Sequence, residues 1–235
     1  ILPLGQAGDS AYAKIATTSR RLFDRAAGLC ANEVASSLAI DLALGGVRVV
    51  GQLDALWSSG RVDLRYSRLG HVSELENWIK HLVLCVAAPE QVALRTHLIG
   101  RPEDGLGLGH ICFSEVEEAR SLLEDLVALR RQGDRLPLPF FPKSSRKYVT
   151  SLKGSEEEHR ERQARLNAYE IFRSQEERGD RGRGESEDLY MDRLFAEQDP
   201  LAPSWVSPDG DASVTFAGIA RRVFEPLLAH REDES

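Results

Sequence analysis

Residues 47–70 read VRVVGQLDALWSSGRVDLRYSRLG. Two strand-like runs, VRVVGQLDAL and RVDLRY, flank a turn at Ser58–Gly60, which is the pattern of a β-hairpin. Each run carries one aspartate, Asp54 and Asp63, and Arg65 stands two residues after the second. If Ser58 and Ser59 form a two-residue turn, Trp57 pairs with Gly60 and Asp54 falls opposite Asp63. Opposed residues share a face, and Arg65 lies on it as well. Facing carboxylates repel unless a cation stands between them. A hard divalent ion such as Mg²⁺ fills that role, and so does Arg65 as a plain structural ion pair. A three-residue turn would separate the aspartates.

Working outward, ASSLAIDLAL before the hairpin alternates strictly, with Leu38, Ile40, Leu42 and Leu44 on one face. This is a half-buried strand. Gly45-Gly46 turns it into the next one. Upstream, residues 11–30 read as a helix on the spacing of Ala13, Ile15, Ala16, Leu22, Phe23 and Ala26. Downstream, HVSELENWIKHLVLCVAAP is a helix that Ser73 and Glu76 open as a capping box, with Leu75, Trp78, Ile79, Leu82, Val83 and Val86 as its apolar stripe. QVALRTHLIG is a fourth strand and HICF a short fifth. The order α-β-β-β-α-β is the core order of the restriction-endonuclease-like, PD-(D/E)xK-type fold, an α/β class with helices flanking a mixed sheet, though order alone is weak support. Active members of that fold carry lysine where this chain has Arg65, and arginine, permanently charged, cannot act as a base. A helix glutamate is also expected there, and Glu33 and Asp24 are the nearby candidates.

The remainder, 114–235, is expected to be a mostly helical extension of the 1–113 core within one domain. Ser114 with Glu117 opens a helix that Gly133 ends, and Leu122, Leu123, Leu126 and Val127 line it. LPLPFFPKSS is an extended connector, EEEHRERQARLNAYEIFR a charged helix, and about 174–187 a mobile loop of low hydrophobicity. Tyr190, Leu194 and Phe195 are expected to clamp that loop to the core. The closing helix sets Phe216, Ile219, Ala220, Val223 and Phe224 on one side, and Pro226 bends or ends it.

Composition bounds the chemistry. The 235 residues are 42% hydrophobic and 29% charged with a net charge of −7, so nucleic acid contact must rest on a local patch. One exists: Arg130, Arg131, Arg135, Lys143, Arg146, Lys147 and Lys153 face the single acid Asp134. They could meet phosphates, with PFFP offering aromatic surface to unpaired bases. The bland alternative is a solvated helix end and a docking loop. Cys30, Cys85 and Cys112 are too few and scattered for a disulfide framework or zinc site and suit a reducing cytoplasm. No metal is expected. The six histidines lack paired metal spacing, and His81 reads as a packed or half-exposed residue and not as a ligand. Gly105, Gly107 and Gly109 lack Rossmann or Walker context, so ATP binding is not expected. No GxSxG elbow, repeat or membrane-length apolar run occurs. The opening ILPLG reads as the interior of a longer polypeptide.

The ordered pieces LALGGVRVVGQLDALWSSGRVDLRYSRLG, ELENWIKHLVLC, PLPFFPKSSRKY, ESEDLYMDRLFAEQDPL and FAGIARRVFEPLLAH resemble the RecC family, the gamma chain of exodeoxyribonuclease V, in its C-terminal region. The resemblance spans nearly all of the chain. It implies a nuclease-like domain without nuclease activity, inside the bacterial RecBCD helicase-nuclease. Asp54 then falls where active relatives hold their first metal-binding aspartate, and Asp63 and Arg65 fall on their D-x-K. Retention of both aspartates departs from the family, which often has neither. The implied partners are the beta and alpha subunits, RecB and RecD, and DNA, with no membrane; Mg²⁺ and ATP belong to those subunits and no cofactor to this segment. The gamma chain helps split the duplex, channels the unwound strand and takes part in reading the Chi signal. The competing class is a Mg²⁺-dependent nuclease using Asp54 and Asp63, and a third reading is a docking module that never touches DNA.

Overall fold

In the computed structural model, residues 4–102, 107–152, 157–173, 185–187, 189–195, 198–205, 207–208, 210–211 and 214–234 are described. They divide into two compact units, 1–125 with 230–235, and 126–229. The division falls inside a helix rather than at residue 113, and the last six residues return to the first unit.

The first unit is α/β. Helix α1 (Gln6–Cys30) precedes strands β1 (Ser36–Leu44), β2 (Val47–Trp57) and β3 (Gly60–Arg68); then come α2 (His71–Ala87), β4 (Thr96–Arg101) and β5 (Gly109–Phe113). Strand β6 (Arg231–Asp233) completes a six-stranded sheet ordered β1 to β6. Among the described strands only β3 and β4 run parallel, because α2 supplies the crossover that parallel neighbours need. Gly45 and Gly46, at φ 54° and 78°, make the β1–β2 turn with both residues left-handed, the twist that suits tight hairpins.

Alternation sorts the two faces. Val62 and Ile99 point to α1, where Leu22 and Ala26 bury against them. Ile40, Leu53 and Leu56 point to the other face, against Leu84 of α2. The three expected strands are all present, with the expected alternation in β1 and a break in that of β2 between Leu53 and Leu56. The helix ends differ from expectation. α1 starts five residues earlier than residue 11. Gly70 is the N-cap of α2, and Ser73 sits at its third position, accepting a hydrogen bond from the Gly70 amide at 3.0 Å. The buried face of α2 is also rotated: Glu74, Asn77 and His81 lie inside with Trp78 and Leu82, while Ile79 is turned out. Glu74, Asn77 and His81 each have a polar partner, which is what permits their burial.

In the second unit, α3 (Ala119–Gly133) gives way to α4 (Pro142–Thr150), α5 (Glu157–Arg173), a 3₁₀ turn at Glu185–Glu187, α6 (Leu189–Phe195) and α7 (Phe216–Ala229). Phe141 is its hub, packing on Phe172, Phe195 and Phe216 at ring separations of 4.6, 5.9 and 6.4 Å. The expected α7 face is buried throughout, and the helix continues one turn past Pro226. Of the three residues expected to clamp, only Phe195 is buried; Tyr190 and Leu194 are exposed. Residues 174–184 of the expected loop and Lys153 lie outside the described residues. Among the described residues, no helix is long and apolar enough to cross a membrane.

Candidate functional site

The hairpin turn is the two-residue one: Trp57 pairs with Gly60 and Leu56 with Arg61. The ladder stops there. Between Leu53 and Leu56 the strand holds one residue more than its β1 partner, whose Ser36 and Leu38 flank a single residue. Ala55 takes φ 61°. This β-bulge carries a left-handed residue that would ordinarily be glycine. It leaves Leu53 and Leu56 on the same, α2-covered face and turns Asp54 to the opposite one, where the Gln52 amide donates to it at 2.6 Å. Asp54 and Asp63 therefore do not share a face. The facing pair expected from register counting is overturned by one extra residue.

Asp63 has other company. It alternates with Arg61 and Arg65 along β3, so all three side chains project toward α2. Arg65 donates to the Asp63 carboxylate, and the Arg61 guanidinium lies 3.8 Å from it. From α2, Asn77 accepts from Arg61, and Glu76 pairs with Arg65 at 3.6 Å and Lys80 at 2.5 Å. Burial alone would raise the Asp63 carboxyl, but hydrogen bonds from Arg65 and Asn77 and the two guanidinium charges hold it below the usual carboxylate range. Burial pushes Arg61 down, opposed mainly by Asp63 and Glu76. A carboxylate so enclosed is an ion-pair anchor between strand and helix. Neither Glu33 nor Asp24 joins it. Glu33 instead accepts from the Ser58 amide at 2.9 Å and the Ser58 hydroxyl at 2.6 Å, pinning the hairpin turn.

Among the described residues, the cluster with metal-ligand spacing lies elsewhere: His97, Cys112 and Glu234, with donor atoms within 4.8 Å of one another. Its hydrogen bonds argue against an ion. Arg25 Nε donates to His110 Nδ1 at 2.9 Å, so the proton of that ring is on Nε2, which donates to His97 Nδ1 at 3.0 Å. The other His97 nitrogen then donates to the Ser59 carbonyl. Both His97 nitrogens are thus committed. Arg25 also holds Glu234 at 3.1 Å. His81 is packed as expected, between the Thr96 hydroxyl at 3.1 Å and the Ser114 carbonyl at 2.7 Å.

The basic residues fall into two sets in the second unit. Arg130 and Arg131 close α3, Arg135 follows it, and all are exposed; Arg130 pairs with Asp134 at 3.0 Å. Lys143, Arg146 and Lys147, three and four apart, share one face of α4, opposite buried Ser144, Ser145 and Tyr148. The positive end of α4 is taken by the Glu185 carboxylate, which accepts from the amides of Lys143 and Ser144, both at 2.9 Å. PFFP offers little aromatic surface: Phe141 is buried and the half-buried Phe140 stacks on Phe224 at 6.2 Å. These rings belong to the core and not to a base-stacking platform.

Register counting missed Arg61 and Asn77 as parts of this site. The alternation Arg61, Asp63, Arg65 was the available signal, and Asn77 gave none.

The family model described as the RecC C-terminal domain matches residues 1–153 of this chain. The chain belongs to the RecC C-terminal domain family. Among curated proteins, it is similar to the RecBCD enzyme subunit RecC of Mycolicibacterium smegmatis, at 35% identity over 106 residues, 45% of this chain and 10% of that protein. It is similar to the RecBCD enzyme subunit RecC of Escherichia coli K12 at 25% identity over 213 residues, 85% of this chain and 17% of that protein. The chain thus corresponds to a small part of each relative. The family match covers the hairpin, the Asp63 anchor and α4, and stops before α5.

Proposed function

We propose that this segment is a restriction-endonuclease-like but non-catalytic domain of a RecBCD-type gamma subunit, serving subunit assembly and guiding DNA during double-strand-break repair in the cytoplasm. RecB and RecD are its partner subunits, and Mg²⁺ and ATP act on those rather than here. The observation that carries the reading is the enclosure of Asp63 by Arg65 and Arg61, which commits its carboxylate to two guanidinium groups while Asp54 is bonded to Gln52. Hydrolysis of a phosphodiester needs carboxylates converging on an ion and a group to take a proton from water. This hairpin provides neither, since arginine keeps its charge. Membership of the RecC C-terminal domain family supports the assembly role. So do Tyr12, Ile15 and Phe23, apolar side chains left exposed along α1. The row Lys143, Arg146 and Lys147 supports contact with a DNA backbone.

The test is incubation of the chain with linear and plasmid DNA in Mg²⁺ or Mn²⁺. No cleavage is expected, and Arg65→Lys creates none because Asp54 remains turned away. Metal-dependent cutting that Asp63→Ala abolishes would instead establish the competing nuclease.

A further inference from the structure

Strand β1 lies at one edge of the sheet, and its backbone has a determined direction. The Gly45-Gly46 turn closes on the pair Leu44 and Val47, which exchange hydrogen bonds in a two-residue hairpin. Every second pair repeats this, at Leu42 with Val49, Ile40 with Gly51 and Leu38 with Leu53. The odd residues, Ser37, Ala39, Asp41 and Ala43, therefore turn their N–H and C=O groups away from the sheet. Arg120 confirms the direction by donating to the Ala43 carbonyl at 3.0 Å. That arginine covers one end of the row, and Ser37, Ala39 and Asp41 remain at an exposed edge.

Edges of this length are usually protected by lysine, proline, a bulge or shortness. The opposite edge uses shortness, since β6 has three residues. β1 has nine residues without lysine or proline, and its one charge, Asp41, is neutralised by Arg48 through two hydrogen bonds of 2.8 and 2.7 Å. The bulge is on β2, away from the edge. Beside the start of β1 opens a cavity of about 660 Å³ lined by Val34, Leu38, Leu56, Trp57, Pro89 and Val92 among others, with Glu33 and Glu90 also lining it.

We infer that β1 is a docking strand for an extended segment of a partner protein. A periodic row of outward amides and carbonyls is satisfied in register only by another strand. The cavity, whose lining also includes Ser36, Ser58 and Gln91, takes a large side chain of that segment with an apolar body and a polar edge, such as an indole. Charge sets its flanks: a basic residue beside Glu33 and Glu90, and an acidic one toward Arg120. A second copy of this chain does not fit. Antiparallel pairing of two β1 strands would bring only Ala43 and the glycine turn to each cavity, leaving it unfilled. The inference stands apart from the non-catalytic reading of the hairpin, which concerns the other side of β2.

The test uses the whole chain and two fluorescent ten-residue peptides of alternating Val and Thr with one central Trp. One carries Lys at its first residue and Glu at its last; the second has these reversed. Anisotropy titration is expected to show saturable binding of at least one peptide. N-methylation of alternate peptide amides, and Ala39→Pro in the protein, should each weaken it at least tenfold. Proline at position 39 removes an outward N–H and leaves the β2 ladder intact. Circular dichroism and thermal unfolding check that variant, and the N-methylated peptide tests the same bond if the variant fails to fold. Absence of binding at millimolar peptide, or binding indifferent to N-methylation, would overturn the inference. So would sedimentation of the unliganded chain as a dimer that Ala39→Pro separates.

Discussion

Ala55 shows how much one residue decides. Its φ of 61° costs an L-amino acid about 1 kcal/mol, and glycine escapes that cost. Ala55→Gly is accordingly expected to raise stability by roughly 0.5–1 kcal/mol in urea unfolding, with no change in slope. Asp63 offers the reverse case. Asp63→Ala leaves the two arginines facing each other in a largely buried setting, at an expected cost of about 3 kcal/mol. Adding Arg61→Met should recover most of that loss in a double-mutant cycle, whereas a metal site would gain nothing from it. The spacing of Asp54 and Asp63 was legible in the sequence, but their faces were not. Alanine carries no bulge signal as glycine would, so register counting ran straight through position 55.

At the scale of elements, the polar residues buried along α2 and the central strands make stability depend on acid. Burial lowers His81 and His110 from 6.5 to about 4, and His97 moves in the same direction. The unfolded chain binds those protons from about pH 6.5 downward, and the folded chain resists until about pH 4. Stability is therefore full above that window and falls as pH drops through it, by on the order of 3 kcal/mol per strongly shifted histidine. Below about pH 4, protonation of Asp63 removes a further part, since its carboxyl is held low. Urea midpoints at pH 7.5, 6 and 5 should fall in that order, and His81→Gln should flatten the slope between them. Strand periodicity was readable in β1 because its leucines and isoleucine alternate plainly with small and polar residues. The α2 face was not, because Glu74, Asn77 and His81 enter the core through partners distant in sequence: Arg231, Arg61 and the Thr96–Ser114 pair. Nothing local to the helix announces them.

For the whole molecule, composition confines any DNA contact to a local patch, and the proposed one comprises Lys143, Arg146 and Lys147 on one face of α4 together with the exposed Arg130, Arg131 and Arg135 at and after the end of α3. Charge reversal at Arg146 and Lys147, made in a reassembled complex, should weaken DNA binding. It should also reduce the salt dependence by about one unit of slope for each phosphate no longer neutralised. Unchanged salt-dependent binding would assign this surface to docking alone. The two-unit division was not readable beforehand, because the hydrophobic pattern of α3 runs unbroken across it.

Strand β6 carries a consequence for synthesis. Its three residues pair with β5, and Glu234 is clasped by Arg25, yet Phe113 and Arg231 bracket the entire second unit. Closing a loop of that length costs on the order of 4 kcal/mol in chain entropy. A nascent chain emerging from the ribosome must therefore carry the outer side of β5 uncovered until residues 231–234 arrive, and the first unit is the last to be finished although it is begun first.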